Sequence, residues 1–131
     1  MKKKIKIRPT IDCVFKAILG KEENSPQLIN FLNAILGLKG WNSIKEVTIL
    51  NPYNEKEFID DKLSIIDIKA KDEQGRYHQI EVQIAGYSWL PGRILYNWSS
   101  IFHSQLPDGD DFRKLKPVTS IWMQHKKVAL I

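Results

Sequence analysis

A single cysteine, Cys13, excludes an intrachain disulfide, so packing and hydrogen bonding must hold this chain together. Cys13 lies among apolar neighbours at helical spacing and reads as a small core residue. The three histidines, His78, His103 and His125, lack metal-ligand spacing, and no zinc signature is present. No apolar run approaches the roughly 20 residues that a membrane-spanning helix needs. The lysines at positions 2–4 are not followed by the apolar core of a signal peptide. These absences point to a cytoplasmic protein with no membrane partner and no call for a small-molecule cofactor. Internal repeats and low-complexity tracts are absent too.

What is present is an ordinary globular composition. In 131 residues, 43% hydrophobic and 27% charged side chains suffice for one domain, residues 1–131, around a single core. The net charge of +5 favours contact with polyanions. The excess sits in Lys2 to Lys4, in Arg113, Lys114 and Lys116, and in Lys126 and Lys127. Such runs are as readily plain solvated surface, so the charge permits DNA binding without requiring it.

Residues Thr10 to Leu19 read as a helix with a Val14, Phe15, Ile18 and Leu19 stripe, stopped by Gly20. Lys3 to Ile7 alternates like a short edge strand. Ser25-Pro26 marks a second helix start, with Ser25 as N-cap, running to about Leu36 before Gly37. Its Leu28, Ile29, Phe31, Leu32, Ile35 and Leu36 cover a broad apolar face. Ile44 to Leu50 reads as a strand broken by Asn51-Pro52. After the Pro91-Gly92 loop, Ile94, Leu95, Trp98, Ile101 and Phe102 recur at helical spacing to about Ser104. Arg93, Tyr96 and Asn97 fall on that helix's polar side, as a phosphate contact or as a solvated face. A loop from Leu106 to Leu115 then leads to an apolar strand, Val118 to Met123. Strand, helix, strand in this order predicts a right-handed parallel crossover.

Between these elements lies the stretch that organises the rest, Lys62 to Ile84, KLSIIDIKAKDEQGRYHQIEVQI. Its β-branched residues suit two strands, and Gly75 suits the left-handed position of a three-residue loop, Glu73-Gln74-Gly75. That loop sets Asp67 opposite Glu81, Ile65 opposite Gln83, Ile66 opposite Val82, and Ile68 opposite Ile80. One face is then apolar, and the other carries Asp67, Lys69, Glu81 and Gln83. A two-residue loop would shift the register by one and scatter the acidic pair over both faces. Opposed like charges destabilise a sheet, so something must offset them: a proton, a cation or water. A hard divalent cation such as Mg²⁺ suits two such carboxylates. Ordinary solvated residues on a sheet edge explain them equally well. Without a metal, one carboxyl of such a pair should be pushed up in pKa.

An Asp in one strand and Glu81-Val82-Gln83 in the next resembles the signature of the PD-(D/E)XK nuclease superfamily, Asp followed by Glu-x-Lys. The text SIIDIKAKDEQGRYHQIEVQ is similar to one branch, the PD-(D/E)XK family transposases related to the Rpn recombination-promoting nucleases, where Glu-x-Gln is common. IDCVFKAILG and PGRILYNWSS resemble the same branch, so the likeness runs from about Thr10 to Trp122. It implies an α/β fold with a restriction-endonuclease-like core, a mixed central sheet flanked by helices. It implies a metal-dependent DNA endonuclease, with Mg²⁺, or Mn²⁺ as substitute, held by Asp67, Glu81 and the Val82 carbonyl. Gln83 replaces the usual Lys, and Lys69 or Lys62 could supply the missing charge. Asp12 on the first helix is either a helix-terminus charge or a further acidic ligand, as in the wider superfamily. Family members continue past the last strand, so the chain is expected to be a shortened version, lacking parts that complete DNA binding or a homodimer. The alternative is a decayed, inactive relative that binds nucleic acid or protein.

Overall fold

The computed structural model describes residues 19–51, 65–83, 90–124 and 127–130. The first helix expected from the sequence, with Asp12 and Cys13, the edge strand at Lys3 to Ile7, and Lys62 lie outside these residues. The framework is a five-stranded sheet: β1 (Val47–Ile49), β2 (Ile65–Asp72), β3 (Tyr77–Gln83), β4 (Val118–Gln124) and β5 (Lys127–Leu130), side by side in that order. Three ladders are antiparallel, and β3–β4 is parallel. Helix α1 (Ser25–Leu36) precedes the sheet in sequence, and α2 (Leu90–Ser104) connects β3 to its parallel neighbour β4.

The hairpin adopts the register expected from Gly75. Asp67 faces Glu81, Ile65 faces Gln83, Ile66 faces Val82 and Ile68 faces Ile80. Gly75 has φ 81°, the left-handed conformation that closes a three-residue loop. Asp72 locks the turn: its Oδ1 accepts from the backbone N–H of Gln74 and of Arg76 at 2.9 and 3.0 Å. Its Oδ2 accepts from Arg76 Nε at 2.6 Å and lies 2.9 Å from His78 Nε2. Arg76 also reaches Asn42.

The two faces of the sheet differ in chemistry. Ile68, Ala70, Ile80, Val82 and Ile121 bury one face against Leu28 and Leu32 of α1, with Leu19, Ile44 and Ile49 completing the core. Ile29, Phe31, Ile35 and Leu36 pack around this core half-buried, so the broad apolar face of α1 has a fully buried centre and a wet margin. Gly37, at φ 65°, ends the helix. The cap at its start is displaced from the expected one. Asn24 is the N-cap, and Ser25 Oγ donates back to the Glu22 carbonyl at 2.6 Å. On the opposite face α2 packs Ile94 against Trp122, and Trp98 Nε1 donates to the Val118 carbonyl at 2.7 Å. Leu95, expected in the apolar stripe of α2, is exposed instead.

Two strands depart from the expected lengths. The Ile44 to Leu50 tract is a strand only at Val47–Ile49 because side chains take up the preceding backbone groups. Asn33 accepts from Ile44 N–H and donates to its carbonyl, at 2.7 and 2.9 Å. The Glu73 carboxylate accepts from the N–H groups of Lys45 and Glu46. β5, which no sequence pattern had marked, pairs antiparallel with β4.

Candidate active site

The acidic pair occupies the tighter kind of cross-strand position. Asp72 N–H donates to the Arg76 carbonyl, so that opposed pair is hydrogen-bonded. Lys69 uses its own N–H and carbonyl on the other side, toward Asn51 Oδ1 and Leu50 N–H. Alternation then makes Asp67–Glu81 a non-hydrogen-bonded pair, the type in which Cα atoms approach to about 4.5 Å. Asn51 steadies the Asp67 end, donating to the Asp67 carbonyl at 3.2 Å and touching its carboxylate at 3.5 Å.

The two carboxylates sit in unlike surroundings. The Glu81 residue is 1% exposed. The Asp67 side chain keeps 26% of its surface in water. Glu81 Oε1 accepts from Gln79 Nε2 at 3.0 Å and from Asn97 Nδ2 at 3.1 Å. Glu81 Oε2 is buried and has no hydrogen-bond partner among the described residues. Arg93 Nε, likewise buried and unpartnered, stands 4.0 Å away. Burial pushes the Glu81 carboxyl above the usual carboxylate range; the Asn97 hydrogen bond and Arg93 pull against this, and the Asp67 charge adds to it. A raised carboxyl is what an opposed pair should show, although burial contributes more than repulsion. Lys69 Nζ lies 4.0 Å from Asp67 Oδ2, so each carboxylate has one cation at long ion-pair distance.

The residues singled out from sequence divide accordingly. Asp67, Glu81, Lys69 and Arg93 come together, Arg93 facing Glu81. Val82 is buried with its side chain on the core face. Gln83 sits opposite Ile65 and beside Gln124, and its side chain lies outside the described residues. Tyr96 is 76% exposed on the outer surface of α2. Asn97, grouped with Arg93 and Tyr96 in the sequence reading, bonds Glu81. Sequence reasoning missed Gln79 and Ser120, whose hydroxyl donates to Gln79 Oε1 at 2.8 Å. Only the parallel register that sets Gln79 beside Ser120 would have revealed them. The basic cluster after Leu106 is internally balanced: Arg113 pairs with Asp111 and Lys114 with Asp110.

The donors fit a hard divalent cation in kind: two opposed carboxylates, one with a buried oxygen that nothing satisfies. Among the described residues no group of three His, Cys, Asp or Glu side chains could hold a metal ion. A complete ligand set therefore needs backbone, water or residues outside the described ones.

No curated protein and no solved structure matches the chain at a significant level. The family model described as PD-(D/E)XK nuclease family transposase matches residues 9–129, almost the whole sequence. That span takes in all three blocks on which the resemblance rested, and the mixed sheet with its helices is consistent with an α/β restriction-endonuclease-like fold. By sequence and by architecture, the chain belongs to the PD-(D/E)XK nuclease family transposases.

Proposed function

We propose that this protein is a divalent-metal-dependent DNA endonuclease that hydrolyses phosphodiester bonds, with Asp67 and Glu81 as the ligands of Mg²⁺ or Mn²⁺. One observation carries the reading. A buried carboxylate oxygen, Glu81 Oε2, lacks a hydrogen-bond partner among the described residues and belongs to a residue opposed to Asp67 in the hairpin. A buried, unsatisfied charged acceptor is costly, and such groups persist mainly at functional sites. When bound, a divalent cation supplies charge neutralisation at the phosphate and lowers the pKa of water.

The chain's own residues take the remaining roles. Asp67 offers a partly exposed carboxylate at the rim, and Glu81 a fixed one beneath α2. The Val82 carbonyl is the third protein oxygen, and Asp12 an additional acidic group. Lys69, one-third exposed beside Asp67, brings the positive charge that Gln83 does not. Gln83 orients a water or a phosphate oxygen through its neutral amide. Arg93 and Tyr96, on the first turns of α2, are the phosphate contacts, and Arg93 is the nearer to the carboxylates. No described helix is long and apolar enough to cross a membrane, in keeping with a cytoplasmic enzyme acting on DNA.

The test is nicking of supercoiled plasmid. The parent protein should nick with Mg²⁺ and stop with EDTA, and Asp67→Asn and Glu81→Gln should both lose cutting while keeping the fold. DNA retained on a gel but never cut, with metal or without, would favour the inactive binding module. Intact plasmid together with a melting temperature insensitive to Mg²⁺ and Mn²⁺ would overturn the nuclease reading.

A further inference from the structure

Gln79 and Ser120 are buried polar side chains on the same face of the sheet as the acidic pair. Gln79 shows no exposed surface, and Ser120 only 1%. A buried amide requires partners at both ends. Ser120 Oγ on β4 donates to Gln79 Oε1 at 2.8 Å, and Gln79 Nε2 on β3 donates to Glu81 Oε1 at 3.0 Å. The carboxylate accepts only, so it takes the N–H end of the amide, and the serine hydroxyl satisfies the oxygen end that is left. Asn97 of α2 gives the same oxygen a second donor, at 3.1 Å. Oε1 therefore holds two donors while Oε2 holds none. Both donors are neutral, so they fix the carboxylate without cancelling its charge.

We propose that Ser120, acting through Gln79, is a positioning residue for the cation site, holding Glu81 so that Oε2 is the oxygen offered to a divalent cation. This rests on the reading of Asp67 and Glu81 as metal ligands. Without the hydroxyl, Gln79 Oε1 loses its donor in a buried site, and the side chain is no longer anchored in the pose that donates to Glu81. Outer partners of metal ligands typically contribute 10–100-fold in affinity.

The experiment is calorimetric titration of the full chain with Mn²⁺ and Mg²⁺, alongside the metal-free melting temperature of the same samples. Ser120→Ala removes one oxygen and should weaken binding roughly 10-fold or more; it should also lower metal-free melting by stranding Gln79 Oε1, so affinity is read well below that temperature. Gln79→Met, close in volume, should weaken it as well. In the Gln79→Met background, adding Ser120→Ala should cost no further affinity, because the serine acts through the amide. Ser120→Ala binding like the parent, or a double variant that loses the product of both single effects, overturns the relay. If Ser120→Ala fails to fold, Gln79→Met alone decides, and unchanged affinity overturns the proposal. A parent that binds neither metal removes the reading of the acidic pair, and this inference with it.

Discussion

Replacing Glu81 by Gln should stabilise the metal-free protein and abolish its response to metal, and the structure sets the size of both effects. The substitution keeps the shape and the Oε1 acceptor that Gln79 and Asn97 use. It removes a charge directly opposed to Asp67, worth roughly 0.2–1 kcal/mol of relief. It also replaces a buried, unpartnered charged oxygen with a neutral amino group, which saves on the order of 1 kcal/mol. Against this stands Arg93. At 4.0 Å the Coulomb attraction would be about 4 kcal/mol at an effective dielectric of 20. The Arg93 side chain is 39% exposed although its Nε is buried, so water screens the guanidinium and the pair is discounted toward the roughly 0.2–1 kcal/mol of exposed pairs. The balance is a gain of about 1 kcal/mol, or roughly 3–5 °C in melting temperature for a chain of this size.

Asp67→Asn relieves the same repulsion but no buried orphan atom, and loses Lys69 at 4.0 Å. Its metal-free stability should stay within about 0.5 kcal/mol of the parent. With metal at a hundred times its dissociation constant the parent should gain about 2.7 kcal/mol, and neither variant should gain it. Thermal melting at pH 7, with EDTA and with Mg²⁺, reads all of these quantities. If Glu81→Gln instead lowers metal-free stability by more than 1 kcal/mol, Arg93 is its true counter-ion, and the pair is a structural salt bridge with no vacancy for a cation.

Two further outcomes follow from the hairpin. Gly75→Ala should destabilise by about 1–2 kcal/mol through its positive φ, while the new methyl needs only a small shift of the flexible Lys116 side chain at 3.3 Å; metal affinity should not change. Stability should fall on acidification from about pH 6.5 downward, in two stages. Burial lowers the His78 pKa from its ordinary 6.5 despite Asp72, so below that value the unfolded chain binds a proton that the folded one resists. Burial raises Asp72, but hydrogen bonds from His78 and Arg76 outweigh it and leave the carboxyl below its ordinary 3.8. Its contribution is thus present above that pH and lost as pH falls through the depressed value. Asp72→Ala should cost roughly 3–5 kcal/mol by stranding the half-buried Arg76 and the buried His78; in a denaturant titration against pH it should remove the lower, carboxylate stage of the acid slope and leave the His78 stage in place.

The hairpin register was legible because two independent signals agreed. Gly75 fixed the loop length, and only one phase of the strands gathered the isoleucines on a single face. The helix from Ser25 and the crossover from β3 to β4 were legible for similar reasons: punctuation by Pro and Gly, and unbroken periodicity. What escaped was set by distant partners. Residues 44–46 carry a strand-like sequence, yet their backbone is claimed by Asn33 and Glu73, the latter 27 and 28 positions away from its two donors. Asn97 stood among the polar residues of α2 from the start. Its spacing could not say whether it faced water or Glu81, because the rotation of α2 on the sheet decides that. Asp72 drew no reading from the sequence, and its burial with His78 came from the packing of the whole hairpin end.

The chemistry of the site follows from how one hairpin is covered unequally. Ile68, Ala70, Ile80 and Val82 pack on the α1 side, with the Asp72–His78 pair at the turn end of the same parity; residues of the other parity meet α2, which brings Asn97 and Arg93 down on Glu81. Asp67, directly across the ladder, keeps a quarter of its side chain in water and has the mobile cation Lys69 at its side. Position alone therefore makes two equivalent carboxylates different, one immobilised and raised in pKa, the other wet and adjustable. The proposed nuclease site would use both kinds: the fixed oxygen would hold a cation, and the wet rim would let a phosphate approach over Lys69 without first breaking into the core. Had α2 covered both carboxylates, the repulsion between them would have forced one to stay protonated. Had it covered neither, nothing would hold Oε2 unsatisfied.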